Sequence, residues 1–159
     1  MKRFNFLFFS IALLVFITDQ VTKIWALYRL AYGHSLKILP FLNFTLVKNE
    51  GIAFGLFHDG GNLKNIVLII ITSIATVMLI FFHLSMKNAS ILKTFLLALV
   101  FGGAIGNLYD RIFRGYVVDF IDVYLGSFHW PVFNLADTFI TIGLIIIFYL
   151  QIIKKEHIF

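Results

Sequence analysis

The stretch GGAIGNLYDRIFRGYVVDF, residues 102–120, decides how the rest of the chain is read. It closes a long apolar run with small residues, and Gly102 and Gly106 stand at the four-residue spacing that lets membrane helices pack backbone to backbone. Asn107, Asp110, Arg111 and Asp119 follow within the same stretch. A short polar-aromatic connection leads to WPVFNLAD, residues 130–137, where Asn134 and Asp137 open the last long apolar run. Ionisable groups beside membrane-length segments are costly to place, which marks them as functional candidates. Asp119 and Asp137 are the two acids that the rest of the chain supports, whereas Asp122 and Arg114 read as juxtamembrane loop charges facing water.

Composition sets the class. The 159 residues are 60% hydrophobic and 13% charged, with mean hydropathy +0.95. Several apolar runs approach the roughly 20 residues that a membrane-crossing helix needs. This predicts one polytopic membrane domain over 1–159, all-α in its spans, and excludes a water-soluble fold. The net charge is +5, but the basic residues sit singly or in pairs at the ends of apolar runs, which suits anionic lipid headgroups better than nucleic acid. Cysteine is absent, so disulfides, thiolate catalysis and cysteine-ligated metals are removed together. The opening MKRFNFLFFSIALLVF resembles a signal-peptide start but lacks a small-residue cleavage site, so it reads as an uncleaved first anchor.

Four spans are expected, over 4–29, 63–84, 91–112 and 131–153. Between the first two, over 32–58, Asn43 and Thr45 alternate with Phe44 and Leu46, a strand period. The glycines of Asn49-Glu50-Gly51-Ile52-Ala53-Phe54-Gly55 allow tight turns. A small, partly apolar β-like platform on the membrane surface is expected there, the alternative being an ordinary interfacial loop. In the first span Asp19 and Lys23 share a helical face at i and i+4, either as a salt bridge pinning neighbouring helices or as substrate contacts. In the third, Gly103, Asn107 and Asp110 or Arg111 share a face, and Asn134, Asp137 and Thr141 do so in the fourth. Counting about 1.5 Å of rise per residue puts Asp19, Asn107 and Asp137 at one depth, ~8–9 Å below one surface.

The five histidines form no HExxH pattern, and His83 reads as an interfacial residue rather than a metal ligand, so no metal or other cofactor is expected. A serine route lacks a Gly-x-Ser-x-Gly element. Basic residues divide evenly between the two sides, Lys2, Arg3, Lys87, Lys93, Lys154 and Lys155 against Arg29, Lys37, Lys48, Lys64, Arg111 and Arg114. The first group is packed into shorter segments, which puts both termini in the cytoplasm and the acids toward the outside.

Five pieces in order resemble the bacterial lipoprotein signal peptidases, also called type II signal peptidases or prolipoprotein signal peptidases. They are Asp19-Gln20-x-x-Lys23, Asn49-x-Gly51-x-Ala53-Phe54, Gly102-Gly103-Ala104-x-Gly106-Asn107-x-x-Asp110-Arg111, Val117-Val118-Asp119-Phe120 and Phe133-Asn134-x-Ala136-Asp137. The resemblance implies an aspartic endopeptidase of the bacterial cytoplasmic (inner) membrane, acting as a monomer without a cofactor. It would remove the signal peptide of prolipoproteins just before a diacylglyceryl-modified cysteine, in contact with membrane lipid and with no nucleic acid. Asp119 and Asp137 would be its catalytic pair. Asn107, Asn134 and Arg111 would support that pair or bind the substrate backbone, Asn49 and Gly51 would border the lipid-modified substrate, and Asp110 would help at the site or simply pair with a base. Two neighbouring carboxyls in a low-dielectric site share one proton, which supplies an acid and a base together. The residues alone also admit a proton- or ion-conducting protein, or a scaffold whose polar groups only join helices.

Overall fold

The apolar runs form four helices, each long and apolar enough to cross a membrane: α1 Lys2–Arg29, α2 Gly61–Ser85, α3 Ile91–Phe113 and α4 Leu135–Ile152. The structure, a computed structural model, describes residues 2–32, 34–51, 61–86 and 90–152. Helix α3 is the centre of the bundle, packed against each of the other three. Ser90 caps it, its hydroxyl accepting from Lys93 N at 3.2 Å. Such a cap is worth about 1 kcal/mol.

Small residues set the seams. A Cβ on Gly103 would lie 2.6 Å from Ala136 O, and one on Gly102 would lie 2.7 Å from Ala12 O. Glycine therefore brings α3 into backbone contact with α1 on one side and with the first turn of α4 on the other. Deeper in the bundle Phe8, Ala12, Leu96, Leu97, Val100, Ile147 and Leu150 fill the core. His83, two residues from the end of α2, is buried here, its ring stacked on Phe8 with centroids 4.0 Å apart and Nε2 hydrogen-bonded to Asn5 Oδ1.

A four-stranded antiparallel sheet caps one end, in the order β1 Ser35–Leu39, β2 Leu42–Asn49, β3 Val117–Leu125 and β4 Phe128–His129. The period-two stretch does form β1 and β2. The platform's later residues, 52–58 with Ile52, Ala53, Phe54 and Gly55, lie outside the described residues. The sheet is completed from elsewhere: β3 and β4 come from between α3 and α4, where the sequence suggested only a connection. Strand β3 pairs with β2 from Leu42↔Val123 to Asn49↔Val117. Val118 and Phe120 join Ala26, Leu30 and Leu46 in a second core, and Trp25, Phe44 and Phe120 meet edge to face. Consecutive residues Val117 to Phe120 are all buried, so both faces of the strand are covered at Asp119.

Residues 130–133 continue this pairing, with Trp130 N to Val123 O at 2.9 Å and Phe133 N to Ile121 O at 3.1 Å. That pairing holds the segment extended, so α4 starts at Leu135 rather than at 131; residue 153, the expected end of the span, lies outside the described residues. The shift changes the role of Asn134, which stands before the helix instead of on its face. It also places Asp137 in the first turn of α4 rather than deep within it.

Candidate active site

Asn134 and Asp137 start α4 by capping each other. Asn134 Oδ1 accepts from Asp137 N at 3.0 Å, and Asp137 Oδ2 accepts from Asn134 N at 3.2 Å. This is a capping box, with Asp in the place usually held by Glu or Gln. The other carboxylate oxygen of Asp137, Oδ1, accepts from Asn107 Nδ2 at 2.7 Å.

Asp119 arrives from the sheet. Its Oδ1 accepts from Asn134 Nδ2 at 2.6 Å and its Oδ2 from Asn49 Nδ2 at 2.8 Å. Asn134 therefore holds both acids, Asp119 through its side-chain amide and Asp137 through its backbone N–H. The amide orientations are fixed by what the amide oxygens accept. Asn49 Oδ1 takes Gly51 N at 2.8 Å, in a turn where Gly51 has φ 80°. Asn107 Oδ1 takes Lys23 Nζ at 2.9 Å and Asn134 Nδ2 at 3.2 Å. Each of the three asparagines thus aims an N–H at a carboxylate of the pair.

Beneath the pair lies an ionic core with Lys23, Asp19 and Asp110 each fully buried. Lys23 Nζ reaches Asp19 Oδ2 at 2.8 Å and Asp110 Oδ2 at 3.1 Å. Asp19 Oδ1 accepts Ala136 N at 3.0 Å, and Asp110 Oδ2 accepts Val118 N at 3.0 Å. Each candidate catalytic acid therefore has the residue just before it tied, through its backbone, to a carboxylate that Lys23 neutralises. Of the two roles open to Asp19 and Lys23, the pinning salt bridge is the one seen, and Asp110 pairs as expected with bases. Lys23 joins Asp19 and Asn107, and Asn107 bonds Asp137, so the three polar residues are linked, although the count for Asp137 started from residue 131 and α4 begins at Leu135.

Arg111 is half-buried at the same level. Its Nη1 donates to Asn107 O at 3.3 Å, and it makes no ion pair among the described residues. Two neighbours differ from the sequence reading. Arg114 is no water-facing loop charge: it pairs with Asp110, donates to Gln20 Oε1 at 2.9 Å and lies over the Tyr109 ring. Its spacing of four from Asp110 was the available signal. Gln20, outside the candidate set, bonds Asp19 and Asp110. Asp122 is buried too, paired with His129 Nδ1 at 2.7 Å and bonded by Asn43 and Thr45.

Beside the acids an open groove of about 410 Å³ runs along α4, lined by Trp130, Phe133, Asp137, Thr138, Thr141 and Ile142. Its walls are mostly apolar and its one acid is Asp137. Asp119, by contrast, is 1% exposed.

Burial pushes the Asp119 carboxyl up to about 6, opposed by the Asn49 hydrogen bond and reinforced by the charge of Asp137. The sign for stability follows. The unfolded group releases its proton near 3.8 and the folded one near 6, so between these values the folded state binds more protons and stability falls as pH rises. The loss amounts to at most about 3 kcal/mol for this group. Melting temperatures in detergent between pH 4 and 7 are expected to decline in the parent protein, and Asp119→Asn is expected to flatten that slope. An unchanged slope would show that Asp119 does not titrate there.

The sequence model of the family described as signal peptidase (SPase) II matches residues 11–153. A lipoprotein signal peptidase of Francisella tularensis subsp. tularensis (strain SCHU S4 / Schu 4) is 39% identical over 150 residues, covering 94% of this chain and 93% of the relative. That of Teredinibacter turnerae is 44% identical over 135 residues, covering 85% and 80%. Among solved structures, one described as a bacterial membrane enzyme, obtained by the in meso method at 1.9 Å resolution, superimposes with TM-score 0.82 at 36% identity. It covers 91% of this chain and 92% of its own.

Proposed function

The chain belongs to the signal peptidase II family, and on that basis we propose that it removes the signal peptides of prolipoproteins as an aspartic endopeptidase, with Asp119 and Asp137 as its catalytic pair. The observation that carries the aspartic reading is the grip of Asn134 on both carboxyls. Two acids tied to one asparagine are the arrangement that a shared water would need.

In this reading Asp119 holds the shared proton, because it is the more deeply buried member and burial favours its neutral form. Asp137 stands at the start of α4 and faces the groove. Asp137 draws a proton from water as that water attacks the scissile carbonyl, and Asp119 gives its proton to the carbonyl oxygen. On collapse the C–N bond breaks, the nitrogen takes the proton held by Asp137, and a hydroxyl of the tetrahedral centre returns one to Asp119. Arg111, with most of its donors uncommitted among the described residues, binds a substrate carbonyl. Asn49 and Gly51 border the lipid-modified residue.

The enzyme would sit as a monomer in the bacterial cytoplasmic membrane, with its sheet and acids on the extracytoplasmic side. Its substrate would be cut just before the diacylglyceryl-modified cysteine, the acyl chains lying against apolar surface. The decisive experiment offers purified protein a diacylglyceryl-modified precursor beside its unmodified form. Cleavage of the modified form is expected to exceed that of the other by at least about tenfold, a difference of ~1.4 kcal/mol in transition-state binding. Equal cutting would remove the lipid-dependent part of the proposal, and no cutting of either would remove the whole.

A further inference from the structure

Helix α2 supplies none of the site residues assigned so far, and its run from Leu63 to Ser85 is the most apolar of the four spans. An amide on such a helix is costly unless it finds a partner on a neighbour. Asn65, one turn in from Gly61, finds one: its Nδ2 donates to Arg111 O at 3.0 Å. That carbonyl lies in the last turn of α3, where a helix has no N–H of its own to offer. Arg114 N takes the neighbouring carbonyl, Asp110 O, at 2.8 Å, and Gly115, with φ 81°, turns the chain out of the helix. Asn65 is therefore a cap for α3 supplied by another helix.

A second contact on the same face of α2 fixes where Asn65 stands. Leu68, at i+3, puts its Cδ1 in the space that a side chain on Gly51 would fill. Gly51 N binds Asn49 Oδ1, and Asn49 Nδ2 binds Asp119. One face of α2 thus meets both the turn that orients Asn49 and the backbone of Arg111.

Arg111 is the member of its turn that this contact governs. Its neighbours are tied by their own side chains, Asp110 to Lys23, Arg114 and Val118 N, and Arg114 to Gln20. The Arg111 guanidinium has only the 3.3 Å bond to Asn107 O among the described residues, while its charge interacts with those of Asp137 and Asp119. Its place beside the acids is set by where its backbone is held.

We propose that Asn65 is a positioning residue of the site: by holding the carbonyl of Arg111 from α2, it sets where the Arg111 guanidinium stands beside Asp119 and Asp137. The proposal rests on the peptidase reading, in which Arg111 binds a substrate carbonyl. Asn65 touches no reacting atom and acts through Arg111.

Asn65→Leu, which suits an apolar helix, and Asn65→Ala, which adds no bulk, both remove the donor. Each is expected to lower kcat/KM for a diacylglyceryl-modified precursor by about two- to tenfold, the worth of one neutral hydrogen bond. In an Arg111→Ala background the same changes are expected to have almost no further effect, because the group they position is gone. Hydrogen exchange gives a reading that needs no cleavage: losing the Asn65 donor is expected to speed exchange at Arg114 N several-fold, while the early turns of α3 keep the parent's rates. Equal proportional losses in the parent and Arg111→Ala backgrounds would overturn the proposal, since Asn65 would then act on something else. So would unchanged exchange at Arg114 N. A parent protein that cuts no precursor would remove the peptidase reading instead, and the exchange measurement would still decide whether Asn65 holds the turn.

Discussion

Asp137→Asn and Asp119→Asn are each expected to lower the rate of precursor cleavage by about 10²–10⁴-fold while leaving an inserted, folded protein. Asparagine keeps the shape of the side chain but can neither store nor release the proton that the reaction passes between water and the leaving nitrogen. At Asp137 the amide oxygen can still accept from Asn134 N, so the cap of α4 survives in part. The amide nitrogen would face the Asn107 Nδ2 donor, and one hydrogen bond is lost. The double variant is expected to be no slower than the worse single one, because both groups act as one proton-sharing unit and their effects do not add. Cleavage assays and melting in detergent separate the readings: a scaffold would lose assembly first, and a conducting protein would lose flux with no cleavage to begin with. Full cleavage by both single variants would overturn the catalytic assignment.

The parts of this site that could be read from sequence were those fixed by helical geometry. A constant rise per residue put Asp19 and Asn107 at one level, where Lys23 does link them, and Asn107 bonds Asp137 although α4 begins later than its apolar run suggested. Glycine spacing foretold the close approach of α3 to its neighbours. What escaped was set by long-range pairing. Strand β3 reads Val-Val-Asp-Phe-Ile-Asp-Val-Tyr-Leu, buried on both faces at its start, so it shows no clean period of two. Its partner β2 lies some 70 positions earlier, beyond any local pattern. The start of α4 was misplaced for the same reason, since residues 130–133 are held extended by β3. With that error went the double role of Asn134, which only a residue preceding the helix can play. Asp122 and Arg114 were misjudged because burial of a charge depends on partners, here His129 and Asp110, brought by the fold.

Lys23→Met is expected to be the most destabilising single change, at about 3–5 kcal/mol, because it strands buried carboxylates without their counter-charge. Lys23 is 0% exposed and its three N–H donors are spent on Asp19, Asp110 and Asn107. Methionine fills a similar volume and makes none of those bonds. Arg114 still neutralises Asp110, so the larger share of the cost falls on Asp19, whose other partners are Ala136 N and the Gln20 amide. Adding Asp19→Asn to Lys23→Met is therefore expected to recover much of the melting temperature, since an asparagine oxygen can still accept Ala136 N. Cleavage should not recover with it. Asn107 Oδ1 would keep only the 3.2 Å bond from Asn134 Nδ2, and the N–H it aims at Asp137 would be held less firmly. A melting temperature for Lys23→Met equal to the parent's would show that the buried ion pairs do not stabilise the fold. Recovery of activity together with stability in the double variant would show that Lys23 acts on the acids only through folding.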